Sequence, residues 1–144
     1  MTSETLHLFH VDDDEDDRFF LGRAVRASAL PIVVTNAASG DEALQRLRGS
    51  QTLPDMLLLD IRMPGMSGFE FLEAFKRTVQ ESVPVVMYSN SNQDVDIERA
   101  RELGARAYCV KPSGLDQLVE FVKRPYHSWR RKELPCEWPK ETSV

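Results

Sequence analysis

Cysteine is scarce in this chain, with only Cys109 and Cys136. Neither has metal-ligand spacing, and two thiols make no disulfide framework, so a zinc module and a disulfide-built secreted domain are both excluded. Cys109 lies in the apolar run AYCV and reads as a small core residue. Long hydrophobic runs are missing too. Nothing approaches the roughly 18 apolar residues of a membrane span, which argues against membrane insertion. The N-terminus, MTSETLHLFH, has no basic stretch followed by an apolar one. No secretory signal is therefore expected, and the cytoplasm is the default location. Excess positive charge is also lacking. A net charge of −5 argues against a direct nucleic-acid surface. What remains is an ordinary globular balance: 42% hydrophobic and 28% charged residues in 144, enough for one well-filled core.

Short apolar runs recur along the chain: LHLFHV (6–11), IVVT (32–35), DMLLLD (55–60), VPVVMYS (83–89) and AYCV (107–110). They are nearly continuous rather than alternating, which suits strands covered on both faces, as in a parallel sheet. Between them lie segments with helical spacing. Ser39-Gly-Asp-Glu42 and Ser67-Gly-Phe-Glu70 both match the capping box, in which Ser and Glu satisfy free backbone donors. After the second box, Phe69, Leu72, Phe75 and Val79 keep to one face. Segment 92–103 stops at Gly104, a good residue just past a helix end. Leu115, Leu118, Val119 and Val122 predict a last helix. Strand and helix alternate five times, so the chain reads as one α/β domain with helices on both faces of a parallel sheet. Pro125 is expected to end or kink the last helix near Arg124. This divides the chain into a domain over 1–124 and a C-terminal extension over 125–144. About 20 residues after Pro125 are too few for a separate DNA-reading output module. In the extension, Tyr126 and Trp129 suit either a partner contact or a cover for the domain.

In open parallel sheets, ligands bind outside the carboxyl ends of the strands. The first strand delivers Asp12, Asp13 and Asp14 to that edge, the third Asp60, the fourth Ser89 and Asn90, the fifth Lys111. Two carboxylates about 4 Å apart repel by roughly 4 kcal/mol at an effective dielectric of 20. A hard divalent cation removes that penalty, and oxygen ligands suit Mg²⁺. A carboxylate beside such a cation can attack phosphorus and form an aspartyl-phosphate, with a lysine neutralising charge on the transferring group. The acids Asp14 to Asp17 read differently. They precede or begin the first helix, where negative charge offsets the helix dipole. His10 reads as a satisfied core histidine. His7 and His10 point to opposite faces and make a poor metal pair.

Four motifs, VDDD (11–14), LLLDIRMPGMSGFEFL (57–72), PVVMYSNS (84–91) and GARAYCVKP (104–112), occur in an order and spacing that resemble the response regulator receiver domains of two-component signalling. The resemblance covers about residues 6–123. It implies a flavodoxin-like, doubly wound sheet with strand order 2-1-3-4-5. It implies that Asp60 is the phosphoacceptor, that Asp12, Asp13, Asp60 and the backbone carbonyl of Arg62 hold Mg²⁺ (with Mn²⁺ as the alternative ion), and that Lys111 and Ser89 assist. Ser89 and Tyr108 fall on the switch pair, with Tyr108 turning inward as the face of the fourth helix, fifth strand and fifth helix is remodelled. Arg62 and Ser91 fall on positions that tune phosphoryl lifetime. The Lys111–Pro112 bond is expected cis. The implied partner is a sensor histidine kinase or a histidine phosphotransfer protein. VDDDEDDRFFL and the aromatic, basic tail are similar to a subgroup of single-domain regulators, some serving phytochrome-type kinases and some forming homodimers. The expectation is thus a stand-alone switch, not an enzyme beyond its own phosphorylation and dephosphorylation.

Two other classes compete. A haloacid-dehalogenase-type phosphohydrolase also uses an aspartyl nucleophile, but wants an acid two residues later, where Arg62 stands. A phosphorylation-independent interaction domain would not need the intact pocket.

Overall fold

The runs rich in Val, Leu and aromatics form strands, covered on both sides at the centre of the sheet and partly open at its edges, while the segments between them bury a single stripe. The structure, a computed structural model, describes residues 4–78, 83–132 and 138. In chain order the elements are β1 (Leu6–Val11), α1 (Glu15–Ser28), β2 (Ile32–Ala37), α2 (Gly40–Gly49), β3 (Met56–Leu59), α3 (Gly68–Thr78), β4 (Val85–Ser89), α4 (Asp94–Glu102), β5 (Ala107–Val110) and α5 (Leu115–Arg131). The sheet is parallel with order β2-β1-β3-β4-β5, as expected. The three central strands are the most buried, and β3 and β4 have no exposed residue at all.

Two cores flank the sheet. One gathers Leu44 and Leu47 of α2, Phe71, Leu72 and Phe75 of α3, and Ile97 of α4 against Val11, Leu57 and Leu59. The other gathers Leu21 and Val25 of α1 and Leu118, Phe121 and Val122 of α5 against Leu8, Leu58 and Val86. Cys109 is buried in the second core as expected, but it is disulfide-bonded rather than a free thiol. Cys136 lies outside the described residues, as does Val79.

The second capping box forms in full and the first in part. Ser67 and Glu70 exchange side-chain-to-backbone hydrogen bonds at 3.2 Å each way. Ser39 caps α2 by accepting from the Glu42 amide, while the Glu42 side chain reaches back to the Ala38 amide. Gly104 follows α4 with φ +86°, the left-handed geometry that favours glycine. The expected break at Pro125 does not occur, because α5 runs through it to Arg131. Pro125 and Tyr126 are buried there, and Tyr126 and Trp129 pack on the second core. That burial offsets the lost backbone hydrogen bond, and it places Tyr126 and Trp129 against the domain.

Candidate functional site

Parallel strands all deliver their C-terminal ends to one edge, so residues distant in sequence converge there. Asp12 and Asp13 follow β1, Asp60 follows β3, Ser89 ends β4, and Lys111 lies just past β5. Together with Asp14, Asp17, Arg62, Asn90 and Ser91, most of them line a cavity of about 570 Å³. Asp12, Asp13 and Asp60 each offer a carboxylate oxygen, and these three atoms lie within 4.8 Å of one another.

Each acid is held by the backbone around it. Asp12 Oδ1 accepts from the Asp14 amide at 3.0 Å, and Asp60 Oδ1 from the Ile61 amide at 2.9 Å. The Arg18 guanidinium donates to the Asp12 carbonyl at 2.7 Å. Gly68 packs against the Asp60 backbone so closely that an added Cβ would lie 2.1 Å from the Asp60 carbonyl oxygen. The glycine of the SGFE motif is therefore required for this approach.

Lys111 closes the site. Its ammonium donates to Asp12 Oδ2 at 2.8 Å and to Asp17 Oδ2 at 2.7 Å, and stands 3.6 Å from Asp60 Oδ2. Burial disfavours its charge, but the hydrogen bonds it donates to Asp12 and Asp17 and the field of Asp60 outweigh burial and raise its pKa above the usual lysine range. Asp12 is affected in the opposite sense. Burial alone would raise its pKa, yet the contacts with His10 and Lys111 win and hold it at about 2. Asp60 lacks so close a partner. Burial dominates, Lys111 opposes it only in part, the charge of Asp12 adds to it, and the carboxyl is raised to about 6. The two acids are thus set apart in basicity because Asp12 has His10, Lys111 and the Asp14 amide to offset its burial, while burial of Asp60 is offset only in part.

Three carboxylates converging without equal cationic compensation fit a divalent cation, and all-oxygen donors favour Mg²⁺ or Mn²⁺ over softer metals. Arg62 belongs to the loop after β3 and lines the same cavity as Asp13 and Asp60. The Ser89 side chain is buried near the cavity, where its Oγ accepts from the Ser91 amide at 3.2 Å. Tyr108 is fully buried, with its hydroxyl donating to the Ser91 carbonyl at 2.7 Å. It already points inward, with its hydroxyl held by the carbonyl of half-buried Ser91 in the loop after β4.

Several expectations need revision. The Lys111–Pro112 bond is not cis, since there is no cis peptide among the described residues. The trans form is the intrinsic preference even before proline. His10 is buried as expected but not well satisfied. Nε2 lies 3.3 Å from Asp12 Oδ2 without good hydrogen-bond alignment, and the ring packs edge-on against Tyr88. The acidic run divides as expected at Asp14, which caps α1 by accepting from the Asp16 and Asp17 amides. Asp17, however, is a direct partner of Lys111 and not merely part of the helix start. A second missed residue is Asp96 of α4, which accepts from Arg62 Nη2 at 3.1 Å and from Ser91 Oγ at 2.6 Å. Both could have been found by extending helical stripes backwards: Asp17 precedes buried Leu21 and Ala24 at i+4 and i+7, and Asp96 precedes Ala100 and Leu103 in the same way.

The response regulator receiver domain model matches residues 8–123. The transcriptional regulator NtrC of Escherichia coli is 35% identical over 125 residues, covering 87% of this chain and 26% of that protein. The chain thus spans about a quarter of the length of such relatives. The probable methanogenesis regulatory protein FilR2 of Methanothrix harundinacea is 31% identical over 134 residues, covering 88% of this chain and 86% of that one. Among solved structures, the phosphorylated cyanobacterial phytochrome response regulator RcpA superposes with a TM-score of 0.79 at 29% identity, covering 89% of this chain and 96% of its own. Strand order, the acids at the ends of β1 and β3, the lysine after β5 and these likenesses agree: the chain belongs to the response regulator receiver domain family.

Proposed function

We propose that this domain accepts a phosphoryl group on Asp60 from a phosphohistidine and relays that event to a partner through the face formed by α4, β5 and α5. The single observation that carries the reading is the setting of Asp60. It lies at a strand end, its carboxyl is raised to about 6, its ligand oxygen is within 4.8 Å of those of Asp12 and Asp13, and Lys111 Nζ is 3.6 Å away. Near neutral pH such a carboxylate is mostly ionised, yet more basic than an ordinary one, which suits attack on phosphorus.

In the transfer, an Asp60 oxygen forms the new P–O bond while the P–N bond to the donor imidazole breaks, and its electron pair leaves with the nitrogen. Asp12, Asp13, Asp60 and the Arg62 carbonyl would hold Mg²⁺, which supplies charge neutralisation at the transferring group. Lys111 adds a second positive charge, and the Ser89 hydroxyl is placed to donate to a phosphoryl oxygen. The new group carries roughly −1.5 to −2 charge. Drawing Ser89 toward it would also tighten the loop that carries Ser91, and with it the Tyr108 hydrogen bond. The inward Tyr108 is then favoured further, a population shift rather than a new fold.

A sensor histidine kinase or a histidine phosphotransfer protein is the donor class. The likeness to RcpA favours a phytochrome-type kinase, and such a partner would place the domain in the cytoplasm. No helix among the described residues is long and apolar enough to cross a membrane. The test is incubation with acetyl phosphate, with and without Mg²⁺, of wild type and Asp60→Asn, read by intact mass. One phosphoryl adduct is expected, on wild type and with Mg²⁺ only. An unlabelled wild type would sink the reading, and steady turnover of phosphate monoesters would indicate a hydrolase.

A further inference from the structure

Lys111 has three N–H donors. Two are committed, to Asp12 at 2.8 Å and to Asp17 at 2.7 Å, while Asp60 at 3.6 Å is beyond hydrogen-bond reach. The Lys111 side chain is only 5% exposed, so its charge must be compensated inside the protein. A phosphoryl group on Asp60 would bring three strong acceptors and more negative charge to the same ammonium. To engage it the ammonium must shift toward Asp60, 3.6 Å away, and that shift draws it off one of the present carboxylates; burial decides which. Asp12 is fully enclosed, bonded to the Asp14 amide, pinned at its carbonyl by Arg18 and pressed by His10. Without Lys111 it would be a buried charge in want of a partner. The Asp17 side chain is 31% exposed and lies in the first turn of α1, so water can replace the lysine there.

We propose that Asp17 is a competing counter-ion for Lys111: it holds the ammonium while Asp60 is free, and yields it when a phosphoryl group arrives, loosening the first turn of α1. This rests on the role proposed for Asp60. Linkage makes the coupling reciprocal. If phosphorylation weakens the Asp17–Lys111 bond, that bond weakens phosphoryl binding by the same factor. Asp17 thereby sets how readily the site is occupied, and α1 becomes a second responsive element beside the α4–β5–α5 face. The neighbouring acid Asp16 has the same charge but is exposed and does not contact Lys111, so it serves as a control for long-range repulsion.

The experiment is titration with beryllofluoride, a stable phosphoryl mimic, in saturating Mg²⁺, followed by calorimetry and by amide hydrogen exchange over residues 15–18. Asp17→Asn should bind roughly fivefold or more tightly than wild type. Asp16→Asn should stay within about twofold, and Asp17→Glu, which restores a carboxylate, should return toward wild type. In wild type, beryllofluoride should speed exchange in the first turn of α1, whereas in Asp17→Asn that turn exchanges fast throughout. If Asp17→Asn does not fold, Asp17→Ser serves in its place. Equal or weaker binding by the Asp17 variants, or an equal gain from Asp16→Asn, would overturn this inference alone. A wild type that binds no beryllofluoride would overturn the Asp60 reading and this inference with it.

Discussion

Arg62 and Asp96 are joined across the mouth of the site, Nη2 to Oδ2 at 3.1 Å, and the same carboxylate oxygen accepts the Ser91 hydroxyl at 2.6 Å. Ser91 in turn accepts the Tyr108 hydroxyl at its carbonyl. One carboxylate of α4 thus ties together the loop after β3, the loop after β4 and the buried tyrosine of β5.

The two bonds to Asp96 are not equal. The Arg62 side chain is 69% exposed, so its ion pair should contribute under about 1 kcal/mol, whereas the Ser91 bond is short and reaches a largely buried acceptor. Arg62→Ala should therefore leave stability nearly unchanged. Asp96→Ala should cost about 1–3 kcal/mol, because it strips the loop of its acceptor. Urea unfolding of the two variants checks the ranking. A larger loss from Arg62→Ala would refute it.

Asp60 makes a pH prediction for the metal-free protein. Its folded value of about 6 lies above the ordinary 3.8, so the unfolded chain ionises first as pH rises. Any stability tied to the protonated form is present in full below about pH 4 and is lost by the time pH passes about 6. Asp60→Asn should then be the more stable protein at pH 7, by up to roughly 3 kcal/mol, at about 1.4 kcal/mol per tenfold change in acidity. The gap should close toward pH 4. Thermal melts in chelator across this range test both the size and the direction.

Gly68 has no room for a side chain. A Cβ would meet the Asp60 carbonyl oxygen at 2.1 Å, and that atom is backbone and cannot swing away. Gly68→Ala is expected to destabilise by about 1–3 kcal/mol and to displace Asp60 from the other two acids. Weakened Mg²⁺ binding together with a lower melting temperature would show both effects. A variant with full stability and metal affinity would contradict the geometry.

Mg²⁺ should stabilise the folded chain by mass action. At a hundred times its dissociation constant the gain is about 2.7 kcal/mol, if the unfolded chain does not bind. Asp13→Asn should abolish most of that gain while leaving the metal-free protein as stable as wild type or more so, since Asp13 is exposed and its charge is repelled by Asp12 and Asp60. Melting curves with Mg²⁺ and with chelator decide the matter. An undiminished shift in Asp13→Asn would remove it from the ligand set.

The fold and the three acids were legible because they depend on local pattern. Continuous apolar runs announce covered strands, Ser-x-x-Glu announces helix starts, and parallel strands of known direction must place Asp12, Asp60, Ser89 and Lys111 along one edge. The fate of Pro125 was not legible. Propensity alone ends a helix there, and only the burial of Tyr126 and Trp129 against the second core outweighs it. The same holds for His10, whose loose contact with Asp12 depends on packing against Tyr88.

VDDDEDD shows where the boundary falls. Its position after the first strand determined that Asp12 and Asp13 face the site and that Asp14 starts a helix, since chain direction and capping chemistry are local properties. Which acid Lys111 holds, that Asp17 joins Asp12 rather than staying in solvent, and that Asp96 collects Arg62 and Ser91, were decided only by the tertiary structure. These pairs are 94, 99, 34 and 5 residues apart, and hydrogen bonds between side chains need distances and angles that no one-dimensional pattern encodes.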